Sequence, residues 1–163
     1  MTKSLLLAAV ASGLFLSNLA GAAANARVAE HDATLTSAVF KEVETPGPKG
    51  AVMSRKPAAR ITPGEQVVYV LTYRNGGTRP ADGVVITNPL AQDLVYAGPA
   101  DTRPPMVSID GQTFGPLTSL SKAAAGGASA PATAADVKAI RWTLDQPVPA
   151  GGEVQLSFRA RLK

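Results

Sequence analysis

Gln66-Val67-Val68-Tyr69-Val70-Leu71-Thr72-Tyr73-Arg74 is a run of β-branched and aromatic residues, which predicts a β-strand. Successive side chains of a strand point to opposite faces, so the odd-numbered residues from Val67 to Tyr73 would share one face. The opposite face would carry Val68, Val70 and Thr72. Because both faces are largely apolar, we expect this strand to lie in the middle of a sheet.

A second strand is predicted near residue 160, where apolar and polar residues alternate without an error. Such alternation is typical of a strand with one buried and one solvated face. The apolar set is Val154, Leu156, Phe158, Ala160 and Leu162, and the polar set is Glu153, Gln155, Ser157, Arg159 and Arg161.

Turn signals separate several further short strands. Glycine, asparagine and proline stand between the apolar runs, as at Pro63-Gly64, Asn75-Gly76-Gly77, Asn88-Pro89 and Gly98-Pro99. The strands predicted in addition are 33–43, 51–55, 84–87, 94–96, 140–144 and a hairpin of 106–109 with 112–114 around Asp110-Gly111. The pattern predicts an all-β fold, an immunoglobulin-like antiparallel β-sandwich of about seven to nine short strands.

One segment departs from this pattern. Residues 121–135 are almost entirely alanine, glycine, serine, threonine and proline, which predicts a mobile surface loop. A short helix over 134–139 is the alternative, because alanine permits it.

The N-terminus predicts export. A single Lys3 precedes an apolar run from Leu5 to Leu16, and the small residues Ala24-Asn25-Ala26 follow, which is typical of a cleaved signal peptide over residues 1–26. An uncleaved anchor is the alternative, although Ser17 and Asn18 interrupt the run before it reaches spanning length. We therefore expect a secreted protein of the periplasm, cell surface or extracellular matrix, with no membrane span after leader removal. Residues 27–50 would form an N-terminal segment and 51–163 the β-sandwich domain.

Several stretches together resemble a known family. They are Pro63–Thr78, Ala81–Leu90, Leu94-Val95-Tyr96, Trp142 and Pro149–Phe158, and they resemble the bacterial DUF11 family of immunoglobulin-like repeat domains. The resemblance implies an extracellular β-sandwich module of a surface or secreted protein, although such modules often occur in tandem and here there is one copy. Asn88 stands where the family usually has aspartate, which puts in doubt any cation-binding or capping role of an acidic residue there.

Composition argues against enzyme chemistry. The 163 residues include no cysteine and one histidine, so disulfides and thiolate metal sites are excluded. The histidine, His31, lies close to the predicted cleavage point, and no Gly-x-Ser-x-Gly motif accompanies it, so no Ser-His-Asp triad is expected. Trp142 and Tyr69 are interpreted as core residues rather than as a sugar-stacking platform. We predict no catalytic, cofactor-binding or metal-binding residues and no cofactor.

The charged residues are interpreted as structural. Aspartates at predicted turns would cap backbone groups, with calcium binding as the alternative: Asp82, Asp93, Asp101, Asp110, Asp136 and Asp145. Basic residues in two clusters would keep the protein soluble or protect an edge strand, and nucleic acid is not expected as a partner: Lys49, Arg55, Lys56 and Arg60, then Arg159, Arg161 and Lys163. A lysine–asparagine isopeptide crosslink is not expected, because Asn75 and Asn88 both lie at predicted turns.

Two functions fit these features. The first is a non-enzymatic exported structural or adhesive module of the bacterial envelope or matrix, with a protein partner or self-association. In its sharper form, a strand within Arg27–Lys41 leaves its own sheet and completes a neighbour's, building a filament by strand addition; the alternative is that it forms the domain's own first strand. The second function is a soluble secreted binding module for a carbohydrate, cation or partner protein, using 121–135 and Arg103-Pro104-Pro105.

Overall fold

A computed structural model describes residues 33–47, 50–124 and 127–163. The described chain is an antiparallel all-β protein with two short 3-10 turns, at Leu117–Ser119 and Ala134–Asp136. Its strands are β1 (Ala33–Gly47), β2 (Gly50–Pro57), β3 (Gln66–Asn75), β4 (Val85–Pro89), β5 (Leu94–Pro99), β6 (Met106–Ser108), β7 (Ser121–Ala123), β8 (Ser129–Pro131), β9 (Ala139–Thr143) and β10 (Glu153–Leu162).

The larger sheet has the order β2-β1-β3-β10-β5, and every pairing in it is antiparallel. The predicted central strand is confirmed as β3, which lies between β1 and β10. Val67 and Val68 are both fully buried although they point to opposite faces. The apolar character of both faces of this segment therefore reflects its position in the sheet.

The smaller sheet has the order β4-β9-β6 and packs on the larger one. Phe158 of β10 lies at the centre of the contact, with its ring stacked on Tyr69 at 5.1 Å and 6.1 Å from the ring of Trp142 on β9. The predicted role of Trp142 and Tyr69 in the core is confirmed, since both belong to or pack on this apolar cluster. The prediction of an all-β sandwich is likewise confirmed.

The strand β1 is shared between two neighbours. Its first half, Ala33–Phe40, pairs with β3, and its second half, Phe40–Gly47, pairs with β2 on the opposite side. In the structure the described part of the predicted exchangeable segment, Ala33–Lys41, therefore forms a strand of its own chain's sheet, as the alternative prediction had it, and the sheet includes residues on both sides of position 50.

Two sequence predictions differ from the structure. Within 121–135, residues of β7 and β8 form a small antiparallel sheet instead of an irregular loop, and a 3-10 turn takes the place of the alternative helix. The predicted strand 112–114 is absent, because the Asp110 carboxylate accepts the backbone N–H groups of Gln112 and Thr113. Because these N–H groups donate to Asp110, they do not form a ladder with β6, and β6 pairs mainly with β9.

Candidate interaction surface

The first half of β1 attaches to the body almost entirely through its backbone. All six residues from Ala33 to Ala38 are exposed, Leu35 is 49% exposed, and none of the six belongs to the apolar cluster between the sheets or packs against it. The strand is nevertheless regular, since it pairs with β3 from Asn75 to Val68. This half of the strand is held by backbone hydrogen bonds and buries little side-chain surface. Such a segment is the least stabilised part of a sheet.

The second half of β1 is tied down by charged groups. The Arg159 guanidinium on β10 donates two hydrogen bonds of 2.8 Å to the Glu42 carboxylate, and the Lys41 ammonium donates to both oxygens of Glu65 at 2.9 Å. Arg55 of β2 donates to the carbonyl oxygen of Ala100 at 2.8 Å. Part of each predicted basic cluster therefore serves contacts within the chain, whereas Lys49 lies outside the described residues.

These contacts shift the acidity of the groups involved. The hydrogen bond from Arg159 lowers the pKa of Glu42, and the same hydrogen bond raises the pKa of Arg159. The hydrogen bond from Lys41, together with the backbone N–H of Thr62, lowers the pKa of Glu65 from 4.5 to about 2. All three groups are held in their charged forms.

We expect Glu65 to make stability depend on pH in the acid range. A lowered folded-state pKa stabilises the fold fully above about 4.5, and this contribution is lost as the pH falls through about 2. In urea unfolding, Glu65→Gln should be less stable than the parent at pH 7, and the difference should shrink towards pH 2. Glu44→Gln on the same strand controls for loss of an exposed charge. A difference for Glu65→Gln that stays constant over this range would contradict the expectation.

A groove of about 490 Å³ opens between the two sheets beside the first residues of β10. Its floor includes Trp142, Leu144 and Val154, and its rim includes Arg103 and Pro104. The Trp142 indole N–H donates to the carbonyl oxygen of Arg103 at 3.0 Å, so the predicted recognition segment 103–105 is fixed beside the groove.

On the side away from β3, the backbone of β10 next to this groove has no neighbouring strand in the described part of the chain. The pairing with β5 ends where the N–H of Ala100 donates to the carbonyl oxygen of Ser157, and the Asp101 carboxylate accepts the N–H of Ser157 at 2.7 Å. Alternate residues of a strand direct their N–H and C=O groups to the same side, so Gln155 and Glu153 also face away from β3. Their backbone groups have no hydrogen-bond partner among the described residues. This half of β10 is therefore an open edge.

The aspartates at three predicted turns act on the backbone as predicted. Asp101 also accepts the N–H of Arg103, Asp110 closes the turn after β6, and Asp136 caps the 3-10 turn through Thr133. Within the described ranges, no group of three or more histidine, cysteine or acidic side chains is arranged to hold a metal ion. His31 lies outside the described residues.

Asn75 is a structural residue that sequence reasoning placed at a turn without recognising its burial. Its side chain is fully buried, and its amide donates to the carbonyl oxygens of Arg79, Val148 and Pro149 at 2.7, 2.9 and 3.2 Å. Its side-chain oxygen accepts the N–H of Gly77 at 3.1 Å. The amide therefore joins two loops. Asn88 is less buried, and among the described residues its side-chain amide donates only to the adjacent Pro89 carbonyl.

Comparisons with other proteins leave the DUF11 resemblance as a prediction from the residues alone. No family model, curated protein or solved structure matches the chain. In the part of the chain that the structure describes, no helix has both the length and the apolar character needed to cross a membrane.

Proposed function

We propose that this chain is a non-enzymatic exported structural or adhesive module of the bacterial envelope or extracellular matrix, which self-assembles by β-strand addition. The observation that carries the proposal is the exposure of Ala33–Ala38 along a regular strand. Natural proteins normally protect such an edge with charged residues, proline or a covering segment. Ala33–Ala38 contains no charged residue and no proline, whereas the neighbouring β2 ends in Arg55-Lys56-Pro57.

Three sequence features support the same function. The predicted leader over 1–26 directs the chain to the export pathway, where a surface or matrix role applies. The immunoglobulin-like DUF11 resemblance belongs to modules of secreted and surface proteins. The chain also lacks cysteine, so assembly in an oxidising compartment would depend on non-covalent contacts.

We expect the mature protein, exported by its own leader, to form rods or polymers whose mass rises with concentration in light scattering and which negative-stain microscopy resolves. Deleting residues 27–38 removes the exposed half of β1 but keeps the Lys41–Glu65 and Glu42–Arg159 ion pairs. The deletion variant should stay folded by circular dichroism and remain monomeric.

The control for the deletion is Glu44→Gln, an exposed substitution on the second half of β1 that leaves Ala33–Ala38 intact and should assemble normally. Polymers of unchanged length and number in the deletion variant would overturn the strand-addition function. A monomeric parent at all concentrations would overturn assembly altogether.

A soluble binding module is the second candidate function, and the groove beside Arg103 and Pro104 is the observation that favours it. The buried Trp142 at its floor offers no exposed ring for sugar stacking, so a protein partner fits this groove better than a carbohydrate. If the unsubstituted protein remains monomeric in light scattering, this result would favour the binding-module function.

A further inference from the structure

The chain carries two open half-edges on opposite sides of the same sheet. On β1, the carbonyl oxygen of Val39 accepts the N–H of Ala58 on the side away from β3, so the backbone groups of Ser37 and Leu35, which alternate with it, face the same side. The β2 pairing begins only at Phe40, and the carbonyl oxygen of Val39 is already used by Ala58. On β10, the free residues are Glu153 and Gln155. Leu35 and Ser37 on β1, together with Glu153 and Gln155 on β10, thus offer four N–H and four C=O groups with no partner among the described residues, and Ala33 at the start of β1 faces the same side as Leu35.

We propose that the open half of β1 in one copy pairs antiparallel with the open half of β10 in a second copy, with Leu35 opposite Gln155 and Ser37 opposite Glu153. This proposal rests on the proposed assembly and names its interface. In this register all eight groups of these four residues pair. A shift by two residues in one direction would place Leu35 opposite Ser157, whose N–H and C=O are both occupied. A shift in the other direction would place Ser37 opposite Gly151, whose N–H already donates to Asn75.

A second copy is the occupant because this chain itself supplies the complementary edge. Neither strand has to leave its own sheet, since β2 lies alongside only the second half of β1 and β5 alongside only the second half of β10. The two strands can therefore overlap by their free halves. Such a contact joins different surfaces of the two copies, so repeating it links subunits head to tail, and the rods expected in microscopy require that the rotation between copies does not close a ring.

The groove between the sheets would receive side chains from the added strand. In the inferred register Thr36 lies opposite Val154, whose side chain lines the groove with Trp142 and Leu144. Opposite residues of a ladder share a face, so Thr34 and Thr36 of one copy would project into the groove of the next. Their small size suits a site whose floor is already packed against the core.

Proline substitution tests the interface, because it removes one backbone N–H. In Gln155→Pro and Ser37→Pro the lost N–H faces away from β3, so each copy should remain folded, yet rods should be lost in both variants. Gln155→Thr and Ser37→Thr keep the N–H and serve as matched controls that should still form rods. The two proline variants mixed in equal amounts should give a species of twice the protomer mass, because one intact edge of each kind remains.

The outcomes separate the interface from the proposed function. Rods that persist in folded Gln155→Pro would overturn this interface and leave assembly standing. If the unsubstituted protein never assembles, the proposed function is overturned. Mixing the two proline variants at high concentration would then test the interface independently of assembly. Failure of the mixture to form a dimer would overturn the pairing.

A crosslinking measurement keeps the test decisive if a proline variant fails to fold. The chain has no cysteine, so Leu35→Cys and Gln155→Cys in separate copies provide the two thiols. Paired residues in such a ladder have Cα atoms about 5.5 Å apart, which suits a disulfide. Mixing these copies under mild oxidation should give a covalent heterodimer, whereas Leu35→Cys with Glu153→Cys, two residues out of register, should not. Equal yields from the two mixtures would overturn the register.

Discussion

Replacing Asn75 with aspartate is expected to lower the free energy of unfolding by about 4 kcal/mol at neutral pH. The change substitutes an oxygen for the nitrogen that donates to three carbonyl oxygens. A carboxylate there would face like partial charges in a fully buried site, so its pKa would rise in the folded state. The folded variant would bind a proton more tightly than the unfolded chain, and its stability would fall as the pH rises.

Urea unfolding between pH 4 and pH 8 checks this expectation. The pH trend should oppose that of the parent in the acid range, where Glu65 makes stability rise with pH. Asn88→Asp makes the same chemical change at a less buried position and should alter stability by less than about 0.5 kcal/mol. Equal losses in the two variants would contradict the structural role assigned to Asn75.

Phe158→Ala is expected to lower the free energy of unfolding by about 3–5 kcal/mol. The ring is fully buried between the sheets, where it stacks on Tyr69 and contacts Tyr96 and Trp142, so its removal leaves a cavity that rigid neighbours cannot fill. The measurement is the urea midpoint, together with the near-ultraviolet circular dichroism of the surrounding aromatic residues.

Val85→Ala is the control for Phe158→Ala, because Val85 is a strand residue on the exposed face of the smaller sheet. Val85→Ala should lower the free energy of unfolding by no more than about 0.5 kcal/mol. A Phe158→Ala variant as stable as Val85→Ala would mean that the two sheets do not pack around this ring.

The strands that contribute most of the core could be predicted from local patterns. In β10 the alternation predicted the inward-facing Leu156, Phe158 and Ala160, which are buried. Ser157 of the predicted solvated face is also buried, because the Asp101 carboxylate covers it and accepts its N–H and its hydroxyl. In β3 the apolar character of both faces predicted a central position. Both predictions worked because burial acts on every second residue of a strand, so the pattern lies within a few neighbouring positions.

The interaction surface could be predicted only in part. The composition of Ala33–Ala38 suggested a strand available for pairing, but whether it pairs with β3 depends on distant residues. The open half of β10 arises because β5 ends at Pro99, after six residues, whereas β10 continues for ten. Proline at position 99 was recognised as a stop signal, yet its effect on residues 153–156 follows from a register that no local pattern contains.

Asn75 illustrates the same limit. Asparagine before Gly76-Gly77 is typical of a turn, and the bond to the N–H of Gly77 agrees with that interpretation. Its burial depends on the carbonyl groups of residues 148 and 149, more than seventy positions away. Long-range partners of this kind are invisible to any window of sequence.

The arrangement of β1, β3 and β10 determines how the domain responds to mechanical tension. Because β1 and β10 are both antiparallel to β3, they run parallel to each other, and Ala33 and Leu162 lie at opposite ends of the sheet. A force that pulls these two residues apart slides the strands along one another. The eight residue pairs of one ladder and the nine of the other then share the load at once instead of opening in sequence. The sheet is therefore loaded in shear, the direction in which hydrogen bonds perpendicular to the strands resist together.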